Sequence, residues 1–434
     1  MANSLDIGES RIGRLVDFND TPEVHVQLSR DVDGIEVQVP WISDGSNVYE
    51  RWFSPNTLWG DDPDKTKFSY EVPSTLVFED SNGAVTLLGC RAVGFRSNWT
   101  LGTGQIRVRF AVFGASEEGE LDAGLIGMRA SLTNLRQWLG LNSVGRREVD
   151  RTDDNRVAGL IRFENPPAIE VPSSPPIRLV PVLGFKSSGD DTTLTDSVQV
   201  ERRADTAESW QRHRSALNGV RDLLALSRWS TERLDVVKVL VPLVGDDDWR
   251  IALDGDTIAG GKALSDRHKH LIQYSDLGAE GIARWIELRT TFARAIDPVI
   301  SSIYLEGATV EVQLAQVGIG LEALAYLVLL RDDGKTDKEA RDTPFKERLD
   351  RLLIGMEAAL PFSGDGWSQA AADAYNAVKH ANRALPEIET LANRWRECVL
   401  LFRAWIAREL GVPVDAIASR IVQDRMFSPF RLLT

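Results

Sequence analysis

The sequence predicts an α+β chain: a β-rich, sandwich-like N-terminal domain followed by an all-α helical bundle. Three observations carry this. Apolar and polar residues alternate at period two through the first 200 positions, between turn signals. From Thr206 the apolar spacing becomes helical. A length of 434 residues exceeds what one hydrophobic core usually organises. The boundaries expected are residues 1–205 for the β-rich domain, 206–304 for a helical middle region and 305–434 for the bundle.

The strands are read from short runs: Val24–Leu28, Gly34–Val39, Ser74–Phe78, Ala84–Leu88 and Gln105–Phe113. In the last run Ile106, Val108, Phe110 and Val112 fall on one face, and Arg107 and Arg109 on the other. Asp31–Gly34 and Asp80–Gly83 read as tight turns, because glycine adopts positive φ at no steric cost. Ser131–Leu139 reads as a helix, with Leu132, Leu135 and Leu139 on one side. Six prolines crowd residues 166–181, and Ser187–Thr193 reads as a loop. The strand-like Ile177–Leu183 between them marks the last strands of the β domain with long connections.

The helices follow. Trp210, Leu217, Val220, Leu223, Leu224 and Ser227 suit one amphipathic helix. Glu232–Val241 reads as a second, ended by Pro242, although its β-branched run also suits a strand. Leu277–Ile300 carries Ile282, Trp285, Phe292 and Ile296 on its apolar side, with a bend or end at Pro298. The longest helix spans Glu306–Arg331, where Val310, Leu314, Val317, Leu321, Leu324 and Val328 form a bundle seam. A second stripe on it, Glu311, Ala315, Gly318 and Glu322, sets two small residues between two acids, where another backbone can approach closely. After a loop at Asp332–Asp337 come Phe345–Leu360, Trp367–Ala384, Ile388–Leu410 (closed by Gly411 and Pro413) and Asp415–Met426.

Composition excludes several classes. Hydrophobic residues at 43% and charged residues at 26% belong to ordinary globular proteins. The most apolar stretch, Val310–Leu330, carries Glu311, Gln313, Gln316 and Glu322 and is read as short of a bilayer span, so no membrane partner is expected. The start, MANSLDIGESR, has neither a basic nor an apolar segment of a signal peptide. Cys90 and Cys398, far apart in sequence, form neither a disulfide framework nor a metal site and read as small core hydrophobes. A cytoplasmic location is expected, and the sequon at Asn98 then carries no glycan. The net charge of −14 is uneven: from Pro344 onward twelve Lys and Arg face eleven Asp and Glu, so a phosphate-binding surface is expected in that segment.

Several motifs fail on inspection. Gly260-Gly261-Lys262 lacks the spacing of a phosphate loop, with Asp256 and Ala263 at the positions that need Gly and Ser or Thr. His268 and His270 within Arg267–His270 lack carboxylate company and read as surface residues. His25 and His213 have no partner pattern, and no Gly-x-Ser-x-Gly elbow is present. No metal and no cofactor are expected.

The segment 371–383 is different. Small residues dominate it, and Asp373, Asn376, His380 and Arg383 fall at helical spacing on one polar stripe bordered by Lys379. Metal-independent RNA cleavage needs a base for the 2′-OH, an acid for the departing 5′-oxygen and a cation for the phosphorane. His380 suits either proton role, with an ordinary imidazole pKa of about 6.5. Lys379 or Arg383 supplies charge, and Asn376 orients His380 or the phosphate. The bland alternative is a solvated helix face.

Tyr375-Asn376-Ala377-Val378-Lys379-His380 resembles the Arg-Asn-x-x-x-His motif of HEPN domains, and Glu322-Ala323-Leu324 on the long helix resembles the first bundle helix of that family. Upstream, Leu76–Phe78, Ala84–Cys90, Phe110–Gly114, Leu132–Leu139, His270–Asp276 and Trp285 resemble, in that order, the pattern of ApeA-type antiphage proteins. The resemblance implies an abortive-infection effector whose HEPN domain cleaves RNA, with tRNA among the substrates considered, and whose bundles pair into a homodimer or higher oligomer, partly through the 310–328 seam. It implies catalytic roles for His380, Lys379, Asn376 and Tyr375, with Glu322 and Asp373 as supporting acids. The departure is Tyr375, which stands where the family has Arg and supplies no permanent cation. Arg383, Arg394 and Arg396 are the candidates to bind RNA phosphate instead. A second reading is a lapsed nuclease that senses a phage-encoded trigger. The β domain shows no catalytic grouping and is expected to regulate or sense.

Overall fold

The computed structural model describes residues 3–16, 24–42, 48–60, 62, 64–98, 100–114, 124–151, 157–188, 191–242, 249–255, 270–362 and 366–432. Gly260-Gly261-Lys262 and Arg267–Lys269 lie outside the described residues. In chain order the elements begin with β1 (Ser10–Val16), β2 (Val26–Asp31), β3 (Gly34–Ile42), α1 (Val48–Trp52), β4 (Thr75–Asp80), β5 (Gly83–Leu88), β6 (Arg91–Ser97), β7 (Leu101–Val108) and β8 (Phe110–Phe113). There follow β9 (Leu125–Leu132), α2 (Leu135–Leu139), β10 (Val144–Arg151), β11 (Val157–Phe163), β12 (Ile169–Val171), β13 (Ile177–Ser188), β14 (Asp191–Glu208), α3 (Trp210–Arg228), β15 (Leu234–Leu240) and β16 (Trp249–Asp254). The helical run is α4 (Tyr274–Thr291), α5 (Ala293–Ile303), α6 (Val310–Arg331), α7 (Asp337–Asp342), α8 (Phe345–Leu353), α9 (Trp367–Lys379), α10 (Ile388–Glu409) and α11 (Val414–Ile421). The β-rich first part and helical second part stand as the sequence predicts.

Two compact units divide the chain, and they interleave along it. The first comprises residues 1–131, 201–214 and 235–259; the second comprises 132–200, 215–234 and 260–434. Residues 206–304, expected as a helical middle region, hold α3, α4 and α5 but also β15 and β16. Glu232–Val241 is therefore a strand rather than the helix first expected, because Val236, Val237 and Val239 favour a pleated surface.

In the first unit the strands lie in the order β14 (its C-terminal half), β9, β15, β16, β8, β5, β4, β1, β2, β3, β7 and β6. Alternation sets the buried face: Ile35, Val37, Val39 and Trp41 of β3 point inward, and Ile106 and Val108 of neighbouring β7 join them. Inward positions 102 and 104 are glycines because aromatic rings occupy the space. A Cβ at Gly102 would meet the Trp41 ring at 2.0 Å, and one at Gly104 the Phe53 ring at 2.1 Å. These two rings stack with centroids 5.2 Å apart. Trp41, Trp52 and Trp59 are thus core residues. The two Asp-x-x-Gly turns close the β2–β3 and β4–β5 hairpins, with Gly34 and Gly83 at φ 138° and 118°.

The expected single strand Gln105–Phe113 is two. Arg109 leaves the ladder, its N–H bonding Leu88 O and its carbonyl accepting from Gly255. β8 then pairs with β5 and β16 and is buried on both faces. The expected helix Ser131–Leu139 is shorter, since residues up to Leu132 belong to β9.

In the second unit, β12 and β13 pair beside the N-terminal half of β14, and β10 and β11 form a separate hairpin. Helix α6 is the centre of the bundle, packed by α5, α7, α8, α9 and α10. Of its seam residues, Leu314, Val317, Leu321, Leu324 and Val328 are fully buried within the chain, and Val310 at the start is half-buried. By length and composition α6 is apolar enough to cross a membrane, unlike the sequence reading, and half of that window is buried in the bundle. Gly320 lets α5 approach: a Cβ there would meet Val299 Cγ2 at 2.3 Å and Ala295 O at 2.8 Å. The helix expected over 277–300 breaks at Phe292 rather than at Pro298, which sits inside α5. Cys90 and Cys398 are buried, and burial pushes both thiols up to about 12.

Arg403 of α10 is fully buried. It donates to Leu226 O at 2.7 Å and Ser227 O at 2.8 Å, and pairs with Asp424 at 2.8 Å. A buried charge whose partner is removed is costly, so Arg403→Ala is expected to lower unfolding stability by about 3–5 kcal/mol. Urea denaturation of the two proteins measures this; a loss below about 1 kcal/mol would mean the pair does not hold α10 in place.

Candidate functional site

Helix α9 starts after Gly366, which takes φ 73°, and runs for 13 residues. It is shorter than the Trp367–Ala384 helix expected. His380 is its C-cap in an extended conformation, its N–H bonded to Asn376 O at 3.0 Å. Arg383 therefore lies beyond the helix, exposed, and does not continue the stripe of Asp373 and Asn376. His380 and Lys379 are exposed side by side at the helix end. Among the described residues the His380 imidazole has no hydrogen-bond partner.

Tyr375 points the other way. It is 3% exposed, and its ring fills the notch over Gly318 of α6, where a Cβ would meet it at 2.2 Å. Phe345 of α8 packs on it at a centroid distance of 5.1 Å. The small-residue stripe read on α6 is thus the seat of a ring. The phenol donates to Glu322 Oε2 at 3.1 Å. Lys379 Nζ reaches the same oxygen at 3.5 Å, and Arg348 Nη1 of α8 lies 3.7 Å from Oε1. Glu322 accordingly gathers one phenol and two cations from α8 and α9. Burial first, then the Glu322 charge and hydrogen bond, hold the Tyr375 phenol well above its ordinary value. It is a donor at neutral pH, not a base.

The other predicted residues sit apart from this cluster. Asp373 is exposed and accepts from Gln369 at 3.0 Å. Asn376 is half-buried. Arg394 is committed to Glu397 at 2.5 Å, an acid that also accepts from Trp367 Nε1 at 2.8 Å. Arg396 is buried and donates to Met426 O and, at 2.6 Å, Phe427 O, which fixes the chain after α11. Arg348 is the member of the cluster that sequence reasoning missed. It is 7% exposed and donates to Thr343, Ala340 and Arg341 carbonyls at 2.9, 3.0 and 2.8 Å. Elsewhere His213 is buried against Leu125 O at 2.8 Å, with its pKa lowered by burial. His270 is half-buried rather than the surface residue expected, and burial, with Arg228 and Arg403 nearby, lowers its pKa to about 3. Among the described residues no group of three His, Cys, Asp or Glu could hold a metal ion.

A β-rich first part and a helical bundle, with titratable groups gathered at one helix end, define a two-part protein. The chain belongs to the ApeA N-terminal domain 1 family, whose profile matches residues 55–285, more than half of its length. That family points to antiphage defence by abortive infection. The match ends within α4 and does not extend to the helices carrying the cluster. No curated protein and no solved structure matches the chain.

The raised Tyr375 pKa has a stability consequence. The unfolded phenol ionises near its ordinary 10.0, the folded one later. Its contribution is complete below pH 10 and is lost as pH rises above that, at up to about 1.4 kcal/mol per pH unit. Tyr375→Phe is expected to cost about 1–3 kcal/mol at pH 7, by loss of the bond to a carboxylate, and to flatten the fall in stability above pH 10. Chemical denaturation of both proteins across pH 7–11 checks it; an unchanged alkaline slope would sink the assignment.

Proposed function

We propose that this chain is an antiphage abortive-infection effector whose helical bundle is a metal-independent HEPN-type ribonuclease, with His380 as its proton-transfer group. The observation that carries the reading is the pairing of an exposed, unengaged imidazole with an adjacent ammonium at the end of α9. Family membership supplies the defence context. In the reaction the 2′-oxygen of a ribose attacks the neighbouring phosphorus as its proton leaves to a base. The P–O5′ bond breaks as an acid returns a proton to the 5′-oxygen, giving a cyclic phosphate and a 5′-hydroxyl. His380 serves one of these transfers. Lys379 offsets phosphorane charge; its contact with Glu322 is surface-exposed and therefore weak enough to exchange for phosphate. Among the described residues one imidazole is so placed, and a second copy would supply the other transfer. That pairing would use a face of α6 other than the buried seam, where Val312 is exposed.

Tyr375 favours a second reading, a lapsed nuclease that senses rather than cuts. The position that carries Arg in HEPN domains holds a buried, uncharged ring bonded to Glu322.

The experiment is total-RNA and tRNA integrity in infected and uninfected cells expressing wild type, His380→Ala and Tyr375→Arg. Fragmentation by wild type that falls at least about a hundredfold in His380→Ala is the expected result. Intact RNA with wild type but cleavage by Tyr375→Arg would identify the lapsed nuclease. Intact RNA in all three would exclude both nuclease forms.

A further inference from the structure

A second feature lies beside Glu322 on α6. A cleft of about 490 Å³ opens between α5, α6, α7 and α8. Ile319 and Leu327 of α6 give it an apolar wall, and Tyr326 contributes a phenol. Arg294 of α5, Arg341 of α7 and Arg348 of α8 bring three guanidinium groups to the same space. No nearby sequence motif anticipates this, because the three come from three different helices.

The charge balance favours an anion. One carboxylate, Glu322, lines the cleft and a second, Asp337, pairs with two of its lining residues; both are already engaged. Asp337 accepts from Tyr326 at 2.5 Å and pairs with Arg341 at 3.4 Å. Glu322 holds Tyr375 and Lys379 and lies 3.7 Å from Arg348 Nη1. Arg294 has no ion pair among the described residues and is exposed. Arg348 is the informative one. More than nine-tenths buried, it spends Nε and Nη2 on three backbone carbonyls, which fix the guanidinium plane. Its Nη1 has no hydrogen-bond partner among the described residues, and the residue lines the cleft. A pre-oriented, buried cation whose Nη1 meets only a 3.7 Å ion pair with Glu322 at the pocket wall is suited to a phosphate oxygen. A free phosphate would leave most of the volume and the apolar wall unused. The size lies within the roughly 300–1,000 Å³ of small-molecule sites.

We infer that this cleft binds a nucleoside phosphate, with the phosphate on Arg294, Arg341 and Arg348 and the nucleoside against the α6 wall and Tyr326. The inference goes beyond the cleavage reading and does not rest on it. The phosphate belongs either to a free nucleotide or to a nucleotide unit of an RNA strand; the chemistry at the arginines is the same.

The test uses the full-length protein, with adenosine 5′-monophosphate, adenosine and a short single-stranded RNA as probes in calorimetry and thermal denaturation. The monophosphate is expected to bind and raise Tm, and adenosine to do neither. Arg294→Ala and Arg341→Ala, both at exposed positions, are each expected to weaken monophosphate binding about tenfold or more with unchanged Tm in the absence of ligand. Displacement of the RNA by the monophosphate would assign the seat to a strand; monophosphate binding indifferent to RNA would assign it to a free nucleotide. His380→Ala is expected to bind the monophosphate as wild type does, so a failed cleavage assay leaves this result standing. No binding by wild type at millimolar monophosphate, equal binding of adenosine, or full affinity in both arginine variants would overturn the inference.

Discussion

The second unit depends on what one helix can tolerate along its length. Helix α6 is packed by neighbours on several sides, two of them closer than a full side chain at the contact would allow. Its two glycines solve this in opposite directions, Gly320 toward α5 and Gly318 toward α9. Glycine inside a helix costs roughly 0.5–1 kcal/mol relative to alanine, so close approach must return more than that. At Gly318 the return is a buried ring and, one turn on, a carboxylate that ties α8 and α9 to the same helix. Glu322 is tolerable in this half-buried place only because phenol, ammonium and guanidinium surround it.

Much of this was legible in sequence and some was not, for identifiable reasons. Period-two alternation located β3, and glycines at positive φ located both hairpin turns. The seam of α6 was read correctly as a packing surface; which helices face it was not legible, because a heptad pattern is the same whether the facing helix belongs to the same chain or another. Glu232–Val241 mixed two propensities, and its three valines decided the outcome. The split at Arg109 was hidden because the alternation of Gln105–Phe113 is unbroken; only the change of neighbours shows it.

At the candidate site, sequence spacing placed Lys379 beside the stripe of Asp373 and Asn376, and the resemblance drew attention to Tyr375 and Glu322. Spacing failed beyond His380, since a helix stripe means nothing once the helix ends. Arg348 and the other cleft arginines left no local signal. Their meeting is a property of helix packing, and no interval along the chain encodes it. Arg394 and Arg396 show the reverse: basic residues on a late helix suggest phosphate ligands, and the partners that engage them, Glu397 and the chain after α11, are not legible from spacing.

The Tyr375 position shows why residue type and packing cannot be separated here. An arginine at 375 would carry a longer, unbranched stem, leaving part of the Gly318 notch unfilled and bringing a permanent cation to Glu322. Two cations already stand within 4 Å of that carboxylate, at 3.5 and 3.7 Å. A third would compete with Lys379 for Oε2 and release its ammonium toward solvent beside His380. The tyrosine does the opposite: it fills the notch, donates one neutral hydrogen bond and leaves Lys379 to neutralise the acid. The charge available next to His380 is therefore set by a side chain that faces away from it, through a carboxylate on another helix.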